Sequence, residues 1–350
     1  MSAALKTAVM GVSGYTGAEL VRLLVRHPRL QDARPVLMAR AESAGGRIGA
    51  LHPALEDSAG TGRLPVETFC WETLAERGVE VLFLATPHES ARALAPEALE
   101  RGLRVIDLSG AWRLNEAENR AVYGLEDADA ARAAAVQNEA VYGMPELHRE
   151  RIRGARMVAN PGCYATAAIL ALKPLVAAGV VDMNAGVICD AKSGVSGAGK
   201  APTATTHFMH AAENLSAYGV FTHRHLGELL EQLKIGREEM TFTPHLLPIA
   251  RGILATNYLR LKQRMTQEEI AAIYEGYFAG SPMVRLRSAS LPEIQFVART
   301  NYCDVGWRVA ADGRRVVIVS CLDNLLKGAS GQAVQNLNVM MGWRESEGLE

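Results

Sequence analysis

Residues 6–25 read KTAVMGVSGYTGAELVRLLV, and this stretch decides the fold. A short apolar and β-branched run, 6–10, leads into three glycines spaced GxxGxxG at 11–17. The residues that follow have the apolar spacing of an amphipathic helix. A strand, a glycine turn and a helix in this order are typical of a dinucleotide-binding sheet, where a pyrophosphate sits at the helix N-terminus. The spacing differs from GxGxxG, so a purely structural turn is the alternative.

The rest of the chain predicts two domains, since 350 residues is long for a single domain of ~100–200 residues. Residues 79–85 (VEVLFLA) and 104–108 read as strands buried on both faces, and 89–100 reads as a helix between them. This alternation predicts an α/β fold with a doubly wound parallel sheet. After residue 157, half-polar runs, including 295–298, favour antiparallel strands with one covered face.

Composition excludes several classes of partner. Lys plus Arg number 37 and Asp plus Glu 38, a net charge of −1, which argues against nucleic acid or an anionic membrane. No apolar run reaches the ~18 residues that a membrane helix needs. Five cysteines, an odd number without a CxxC pair, argue against a disulfide framework or a metal site. They fit a reducing compartment, so we expect a cytoplasmic protein.

The end of the second predicted strand bears on the choice of cofactor. NAD-binding sheets place an acidic residue there for the ribose 2′-hydroxyl, whereas this chain has Arg40, with Ser43 nearby. A guanidinium suits a 2′-phosphate, which predicts NADP(H). A solvated surface arginine, or a carboxylate from Glu42, is the alternative. The candidate cofactor contacts in the glycine turn are Ser13, Gly14, Tyr15, Thr16 and Gly17.

The sharpest chemical signal is NPGCYAT at 160–166. The Pro-Gly pair makes a tight turn, so Cys163 falls at or next to the first turn of the helix that follows. The positive end of a helix dipole stabilises a thiolate there, which makes Cys163 the predicted nucleophile. The alternative is a buried structural cysteine, an interpretation that suits Cys70, Cys189 and Cys321 better.

A thiolate needs a proton partner, and the sequence HRH at 223–225 supplies a close pair of histidines. Alternation along an extended segment would place His223 and His225 on one side, where one acts as acid/base and the other binds substrate. A solvated basic loop is the alternative. His245 is interpreted as a packing or supporting residue, and His27 as a surface or loop residue.

Two further features suggest anion binding. The run SGVSGAGK at 193–200 is dense in backbone donors and hydroxyls and ends in Lys200. It does not match the Walker pattern, but it could cradle one phosphate or pack beside a nicotinamide ribose. Arg113 is the second candidate, and a structural ion pair is an equally weighted alternative for it.

Together these motifs resemble the N-acetyl-gamma-glutamyl-phosphate reductase family, which is related to aspartate-semialdehyde dehydrogenase. The resemblance covers nearly the whole chain in the right order. Its motifs are GVSGYTG at 11–17, LATPH at 84–88, NPGCYAT at 160–166, SGVSGAGK at 193–200, AYG at 217–219, HRH at 223–225, LP at 247–248, RGI at 251–253 and DNLLKG at 323–328. One departure is GAW at 110–112, where family members commonly read Ala-Asp-Phe.

The resemblance implies a Rossmann-like NADP-binding domain at 1–158, an α+β catalytic and oligomerisation domain at 159–323, and a C-terminal helix at 324–345 that packs back on the first domain. It implies NADPH-dependent reduction of an acyl phosphate through a thioester on Cys163, with cationic His223 as the acid. A homo-oligomer, dimer or tetramer, is also implied. The substrate-binding candidates are Arg113, Asn160, Ser193, Lys200 and His225. The remaining cofactor candidates are Arg40, Ser43, Pro87, Ser193, Gly194, Asn324 and Lys327.

The substrate implied is N-acetyl-gamma-glutamyl phosphate, on the route to arginine, and three alternatives stay open. The first is the same chemistry on a carrier-protein-bound aminoadipyl or glutamyl phosphate from lysine biosynthesis, or on aspartyl phosphate. The second is an NADPH-binding redox sensor in which Cys163 is oxidised. The third is an aldehyde dehydrogenase that produces the free acid, which phosphate dependence in the oxidative direction would separate.

Overall fold

A computed structural model describes residues 4–57 and 60–350, so residues 1–3, 58 and 59 of the predicted first domain lie outside the described residues. The chain divides into two compact units. The first unit comprises Met1–Asn115, Tyr123–Pro161 and Ala329–Glu350. The second unit comprises Glu116–Val122 and Gly162–Gly328. Within the described residues, no helix is both long enough and apolar enough to cross a membrane.

The strands follow the alternation that the sequence predicts. They are β1 (Thr7–Met10), β2 (Val36–Ala39), β3 (Val66–Thr68), β4 (Val81–Leu84), β5 (Arg104–Asp107), β6 (Val141–Tyr142), β7 (Met157–Ala159), β8 (Val187–Gly194), β9 (Ser216–Ala217), β10 (Met240–Leu247), β11 (Ile253–Arg260), β12 (Val284–Leu286), β13 (Cys303–Val309) and β14 (Arg315–Leu322).

The helices are α1 (Tyr15–Arg26), α2 (Ile48–Leu51), α3 (Trp71–Glu76), α4 (His88–Glu100), α5 (Ala117–Arg120), α6 (Ala130–Glu139), α7 (Pro145–Ile152), α8 (Cys163–Ala177), α9 (Phe208–Ala211), α10 (Leu226–Leu233), α11 (Gln267–Tyr277), α12 (Ile294–Val297) and α13 (Gly331–Met340). A π-helical turn, Leu326–Ser330, precedes α13. Several short 3₁₀ turns join the longer elements.

The first unit contains a parallel sheet with the strand order β3-β2-β1-β4-β5-β7-β6. The central strands β1 and β4 are buried along their whole length, as strands covered on both faces must be. The order reverses between β1 and β4, and ligands of such sheets bind beyond the carboxyl ends of the strands at this reversal. The predicted doubly wound parallel sheet is therefore confirmed.

Glycines allow the chain to turn closely at this reversal. Gly11 follows β1 with a φ of 95°, and an added Cβ would overlap the carbonyl oxygen of Ala85, which follows β4. A Cβ on Gly17 would overlap the carbonyl oxygen of Gly11. Larger residues at these two positions would therefore push the start of α1 away from the sheet edge.

Helix α13 is held in the first unit by buried polar side chains. Asn336 Nδ2 donates to the carbonyl oxygen of Gly143 at 2.7 Å, and Asn338 Oδ1 lies 2.9 Å from Nε2 of His27. His27 follows α1 outside any helix or strand, as one half of its interpretation expected, but it is fully buried, so the expectation of a surface position is wrong. Burial lowers the pKa of His27, and the hydrogen bond to Asn338 opposes that shift.

The second unit contains a mixed sheet with the order β12-β13-β14-β11-β8-β10-β9. The pairs β8/β10 and β12/β13 are parallel, and the others are antiparallel. Helix α8 covers one face, where Ser320 Oγ donates to the carbonyl oxygen of Ala167 at 2.8 Å. The one-sided covering that the half-polar strands predicted is thus present, in a sheet of mixed direction.

The predicted strand at 295–298 is wrong, because Ile294–Val297 forms the short helix α12. Ile294 and Val297 both contact the apolar cluster around Val319 and Cys321. A separation of three residues brings two side chains to one side of a helix. A four-residue apolar run does not distinguish this pattern from a strand.

Candidate active site

Cys163 is the first residue of α8, as the sequence predicts. Gly162 is the N-cap, with extended backbone angles, and among the described residues no side chain caps this end of the helix. The body of α8 is buried over nearly its whole length, whereas Cys163 itself is half-buried. The partial positive charge at the helix N-terminus therefore acts on a half-buried cysteine and stabilises its thiolate.

A buried carboxylate lies directly beside this helix start. The N–H of Gly162 donates to Glu228 Oε2 at 2.9 Å, and Glu228 Oε1 lies 4.0 Å from His225 Nε2. A Cβ on Gly162 would overlap Nε2 of His225. Glycine before the cysteine is thus required for this close approach.

Glu228 was not among the candidates from the sequence. A signal for it existed, because it follows His225 by three residues at the start of a helix, which places both side chains on one face. Its contact with the turn before Cys163 spans 66 residues of sequence, and no local pattern predicts that contact.

The HRH sequence forms a series of turns instead of the predicted extended segment. The N–H of His223 donates to the carbonyl oxygen of Gly219 at 2.8 Å, and the N–H of Leu226 donates to that of His223 at 2.9 Å. The two imidazoles nevertheless meet, with ring centroids 4.7 Å apart and an interplanar angle of 80°. The predicted pairing of the histidines is correct, although the backbone geometry proposed for it is not.

The surroundings of His223 favour its neutral form. Burial, followed by the charge of Arg224, lowers the pKa of His223 to about 4. Its Nδ1 accepts the N–H of His225 at 3.1 Å, so the proton of the neutral ring is assigned to Nε2. The cationic His223 expected from the family resemblance is therefore not the form favoured near pH 7.

Two tyrosines that the sequence did not nominate pack around the histidines. Tyr164 and Tyr218 each contact the ring of His223 edge-on, with centroids 5.5 Å away. Tyr218 donates its hydroxyl to that of Tyr164 at 3.4 Å, and burial raises the pKa of both phenols. Tyr164 in turn donates to the carbonyl oxygen of His245 at 2.7 Å. The phenols therefore surround His223 in protonated form.

The side chain of His245 has a separate partner. Its Nδ1 lies 3.1 Å from Asp190 Oδ1, and the same oxygen lies 2.7 Å from Lys192 Nζ. His245 thus supports the site through its backbone carbonyl, in keeping with the supporting role expected from the sequence.

The segment predicted to bind phosphate, 193–200, begins in the last two residues of β8 and forms the turn that follows this strand. Ser193 is buried, and its Oγ donates to the carbonyl oxygen of Gly194 at 3.1 Å. Asn324 donates to Ser196 Oγ at 2.9 Å and accepts the N–H of Gly252 at 2.8 Å. Asn324 therefore fastens the turn after β8 to the chain before β11.

The predicted lysines differ in their surroundings. Lys200 is exposed, whereas Lys327 is fully buried. Gly328 follows Lys327, and a Cβ built on Gly328 would come within 2.7 Å of the Cβ of Cys163. The DNLLKG segment therefore packs directly against the nucleophile.

In the first unit, Arg113 and Asn160 form part of a buried network. Arg113 donates Nε to the carbonyl oxygen of Asn160 at 2.6 Å and Nη2 to that of Leu108 at 2.8 Å. Asn160 Nδ2 donates to the carbonyl oxygen of Ala329 at 3.1 Å. Burial raises the pKa of nearby Asp107 to about 6, and hydrogen bonds from Ser109 oppose the shift. These contacts join the ends of β5 and β7 to the start of the last helix.

The remaining cofactor candidates surround the carboxyl edge of the first sheet. Gly14 is the N-cap of α1 and Pro87 the N-cap of α4, directly beyond β4. Arg40 follows β2, and its Nε lies 3.2 Å from Glu42 Oε1. The arginine predicted to bind a 2′-phosphate and the carboxylate that was its alternative therefore lie side by side. The glycine turn, with no side chain at its cap, leaves N–H groups at the start of α1 for a pyrophosphate. The residues present therefore fit a dinucleotide.

Two family models match the chain. Residues 6–155 match the NAD-binding domain of semialdehyde dehydrogenases, and residues 163–324 match their dimerisation domain. The N-acetyl-gamma-glutamyl-phosphate reductase of Methanocaldococcus jannaschii is 40% identical over 352 residues, covering 98% of this chain and 97% of the relative. The enzyme of that name from Moorella thermoacetica is 44% identical over 351 residues, covering 99% and 98%.

Solved structures share the fold at lower identity. Aspartate semialdehyde dehydrogenase II of Vibrio cholerae, complexed with ASA, has a TM-score of 0.71 at 18% identity, covering 97% of this chain and 98% of that chain. Aspartate semialdehyde dehydrogenase of Candida albicans, with NADP, has a TM-score of 0.68 at 16% identity, covering 96% and 98%.

The close approach at Gly162 gives a testable prediction. In Gly162→Ala the added methyl group overlaps His225, so we expect the second unit to lose about 2 kcal/mol or more of unfolding free energy. Denaturant unfolding measures this loss. Gly276→Ala is the matched control, because nothing lies within 4 Å of its added Cβ, and alanine in a helix is about 1 kcal/mol more favourable than glycine. Equal stabilities for the two variants would contradict the packing described here.

Proposed function

The chain belongs to the N-acetyl-gamma-glutamyl-phosphate reductase family of semialdehyde dehydrogenases, and we propose that it reduces N-acetyl-gamma-glutamyl phosphate to N-acetylglutamate 5-semialdehyde and phosphate in arginine biosynthesis. The observation that carries the proposal is a half-buried cysteine at a helix N-terminus, next to the His225–Glu228 pair. The shared name of relatives that are 40% and 44% identical supports this substrate over a carrier-protein-bound acyl phosphate.

In the proposed reaction, Cys163 is the nucleophile. Its thiolate attacks the acyl carbon, an S–C bond forms, and the bond from that carbon to the phosphate oxygen breaks as phosphate leaves with the electron pair. The nicotinamide cofactor, when bound, supplies the hydride that reduces the resulting thioester. The C–S bond then breaks, which releases the aldehyde and regenerates Cys163. Ser193 and Lys200 remain proposed contacts for substrate anions.

The acid/base role, which the family resemblance assigned to His223, is proposed for His225. His223 is neutral near pH 7 and holds the backbone N–H of His225 through Nδ1. His225 lies 4.0 Å from the buried carboxylate of Glu228, which accepts the Gly162 N–H directly before Cys163. His225 takes the thiol proton of Cys163, gives it to the oxyanion that forms on reduction, and recovers it when the C–S bond breaks.

NADP(H) is the proposed cofactor of the first unit. The glycine turn and the N-terminus of α1 hold the pyrophosphate, and Arg40, with Ser43, binds the 2′-phosphate.

The proposed activity is tested in the oxidative direction. N-acetylglutamate 5-semialdehyde and NADP⁺ should yield NADPH only when inorganic phosphate is present, because phosphate must attack the thioester. NADPH absorbance measures the rate. Cys163→Ala should be inactive, and Cys70→Ala, which removes another accessible thiol, should remain active. Phosphate-independent turnover would identify a hydrolytic aldehyde dehydrogenase, and turnover of carrier-linked substrate alone would place the enzyme in lysine biosynthesis.

Substitution of each histidine distinguishes the acid/base role from the supporting role. His225→Asn should lower kcat by ~10²–10⁴, the usual contribution of a general acid/base, and His223→Asn by about tenfold, since it removes a support. Glu228→Gln should lower kcat about tenfold, because it replaces the charged acceptor of the Gly162 N–H, which positions the start of α8, by a weaker neutral one. A larger loss for His223→Asn would return the acid/base role to His223.

The cofactor preference is tested at Arg40. Arg40→Gln should raise KM for NADPH about tenfold and leave KM for NADH unchanged, since only NADPH carries the 2′-phosphate. Steady-state kinetics with both cofactors measure the ratio. Arg101→Gln is the control, because it removes a charge at the opposite end of α4. An unchanged ratio in Arg40→Gln would exclude the proposed contact.

A homodimer is proposed to form through the open face of the second sheet. Ile188 on β8 and Tyr258 on β11 pair in register, so their side chains share that face, and they are 47% and 43% exposed. Exposed apolar neighbours of this kind are typical of protein interfaces. The match to a dimerisation domain supports the same conclusion.

The dimer is tested by introducing a charge on this face. Ile188→Lys should convert the dimer to a monomer, measured by light scattering after size-exclusion chromatography, because the lysine would be buried without a partner. Val122→Lys changes a residue of similar exposure, 48%, in the 3₁₀ turn that follows α5, and should leave the dimer intact. A dimeric Ile188→Lys protein would place the interface elsewhere.

A further inference from the structure

Two arginines meet one buried carboxylate at the edge of the second sheet. Arg285 Nε lies 2.6 Å from Asp304 Oδ1, and Arg287 Nε lies 2.8 Å from Asp304 Oδ2. Arg285 belongs to β12 and pairs with Asp304 of β13 in register, so these side chains occupy one face of the sheet. Asp304 is fully buried, whereas both guanidinium groups are about one-third exposed.

The cluster carries more positive charge than the carboxylate requires. Two guanidinium groups and one carboxylate give a net charge of +1, since 2 − 1 = 1. Arg285 also donates to the carbonyl oxygen of Phe296 at 3.1 Å and lies over the ring of Tyr302 at 4.3 Å. Within the described part of the chain, the terminal nitrogens of Arg287 have no acceptor. Arg287 therefore offers a guanidinium that is oriented by Asp304 and ready for a second anion.

A cavity of about 320 Å³ opens over these two arginines. Its wall includes Leu291, Pro292 and Phe296, of which Leu291 is 39% and Phe296 54% exposed. The volume lies at the lower end of the ~300–1,000 Å³ that small-molecule sites occupy. A cation at one side and an apolar wall at the other suit a ligand with both an anionic and an apolar part.

The wall is preformed because the segment after β12 is tied to β13. Arg308 donates to the carbonyl oxygens of Ser288 at 3.2 Å and Ala289 at 2.9 Å. Gly306 packs so closely under this segment that an added Cβ would come within 2.8 Å of Pro292. The neighbouring Glu293 is exposed and accepts a hydrogen bond from Gln295 at 2.7 Å.

We propose that this cavity is a second ligand site, which binds a small organic anion outside the catalytic and cofactor machinery. Arg287, supported by Arg285, takes a carboxylate or phosphate group in bidentate fashion, and the apolar body of the ligand lies against Leu291 and Phe296. The volume and the apolar wall favour a free ligand over an acidic side chain from a second copy of the chain, which would fill only the charged side.

The full-length enzyme provides the test, with phenyl phosphate and phenylacetate as probes in titration calorimetry without substrates. The wild type should bind at least one probe. The probe that binds more tightly shows whether the site prefers a phosphate or a carboxylate group. Arg287→Gln should weaken binding about tenfold or more, because a charge-assisted hydrogen bond is lost. Arg287→Lys should bind the probe with an affinity between those of the wild type and Arg287→Gln. Lysine keeps the positive charge but lacks the two parallel N–H donors of the guanidinium group. Arg315→Gln is the matched control, because Arg315 forms a similar ion pair with Asp312 at 2.7 Å and should leave binding unchanged.

Three results would overturn the proposal. They are absence of binding by the wild type, equal affinity of Arg287→Gln and Arg315→Gln, and a change from oligomer to monomer in Arg287→Gln, which would show that a partner chain fills the cavity. Turnover of Arg287→Gln should equal that of the wild type. Because probe binding is measured without turnover, failure here is distinguishable from failure of the proposed reductase activity.

Discussion

The hydrogen bond from the Gly162 N–H to the buried carboxylate of Glu228 holds the catalytic arrangement together. It fixes the start of α8, and with it the position of Cys163, against the start of α10, which carries His225. A buried carboxylate is costly unless hydrogen bonds and a cation satisfy it. The Gly162 N–H, in the turn before the nucleophile, provides one such hydrogen bond, and the imidazole of His225 lies 4.0 Å from the other carboxylate oxygen. The burial of Glu228 and the geometry of the site therefore depend on each other.

Both units place the partial positive end of a helix beside an anion, and the anion differs between them. In each, a glycine caps the N-terminus of a helix and leaves the first N–H groups without a side-chain cap among the described residues. At the start of α1 this arrangement fits a pyrophosphate, and at the start of α8 it stabilises a thiolate. Both starts also contain a glycine whose Cβ would overlap a neighbour: Gly17 in the first turn of α1 against the carbonyl oxygen of Gly11, and the cap residue Gly162 against His225.

The features that the sequence predicted correctly depend on patterns within short stretches of the chain. Uniformly apolar runs identified the strands of the parallel sheet, and the Pro-Gly-Cys turn before an apolar helix placed Cys163 at a helix N-terminus. The missed features depend on long-range packing. Glu228 meets Gly162 across 66 residues, and His223 is neutral because the folded chain buries it beside Arg224. The run 295–298 predicts a strand whereas Ile294–Val297 is a helix, because only contact with the sheet distinguishes the two.

The central claim is that the acyl group passes through Cys163, and peptide mapping by mass spectrometry tests it most directly. The enzyme is mixed with N-acetyl-gamma-glutamyl phosphate in the absence of NADPH, digested at low pH and mapped. We predict release of phosphate and one N-acetylglutamyl group on the peptide that contains Cys163, removable by hydroxylamine and absent in Cys163→Ala. Reduction of substrate by the enzyme without such an adduct, or with the acyl group on another cysteine, would contradict the account.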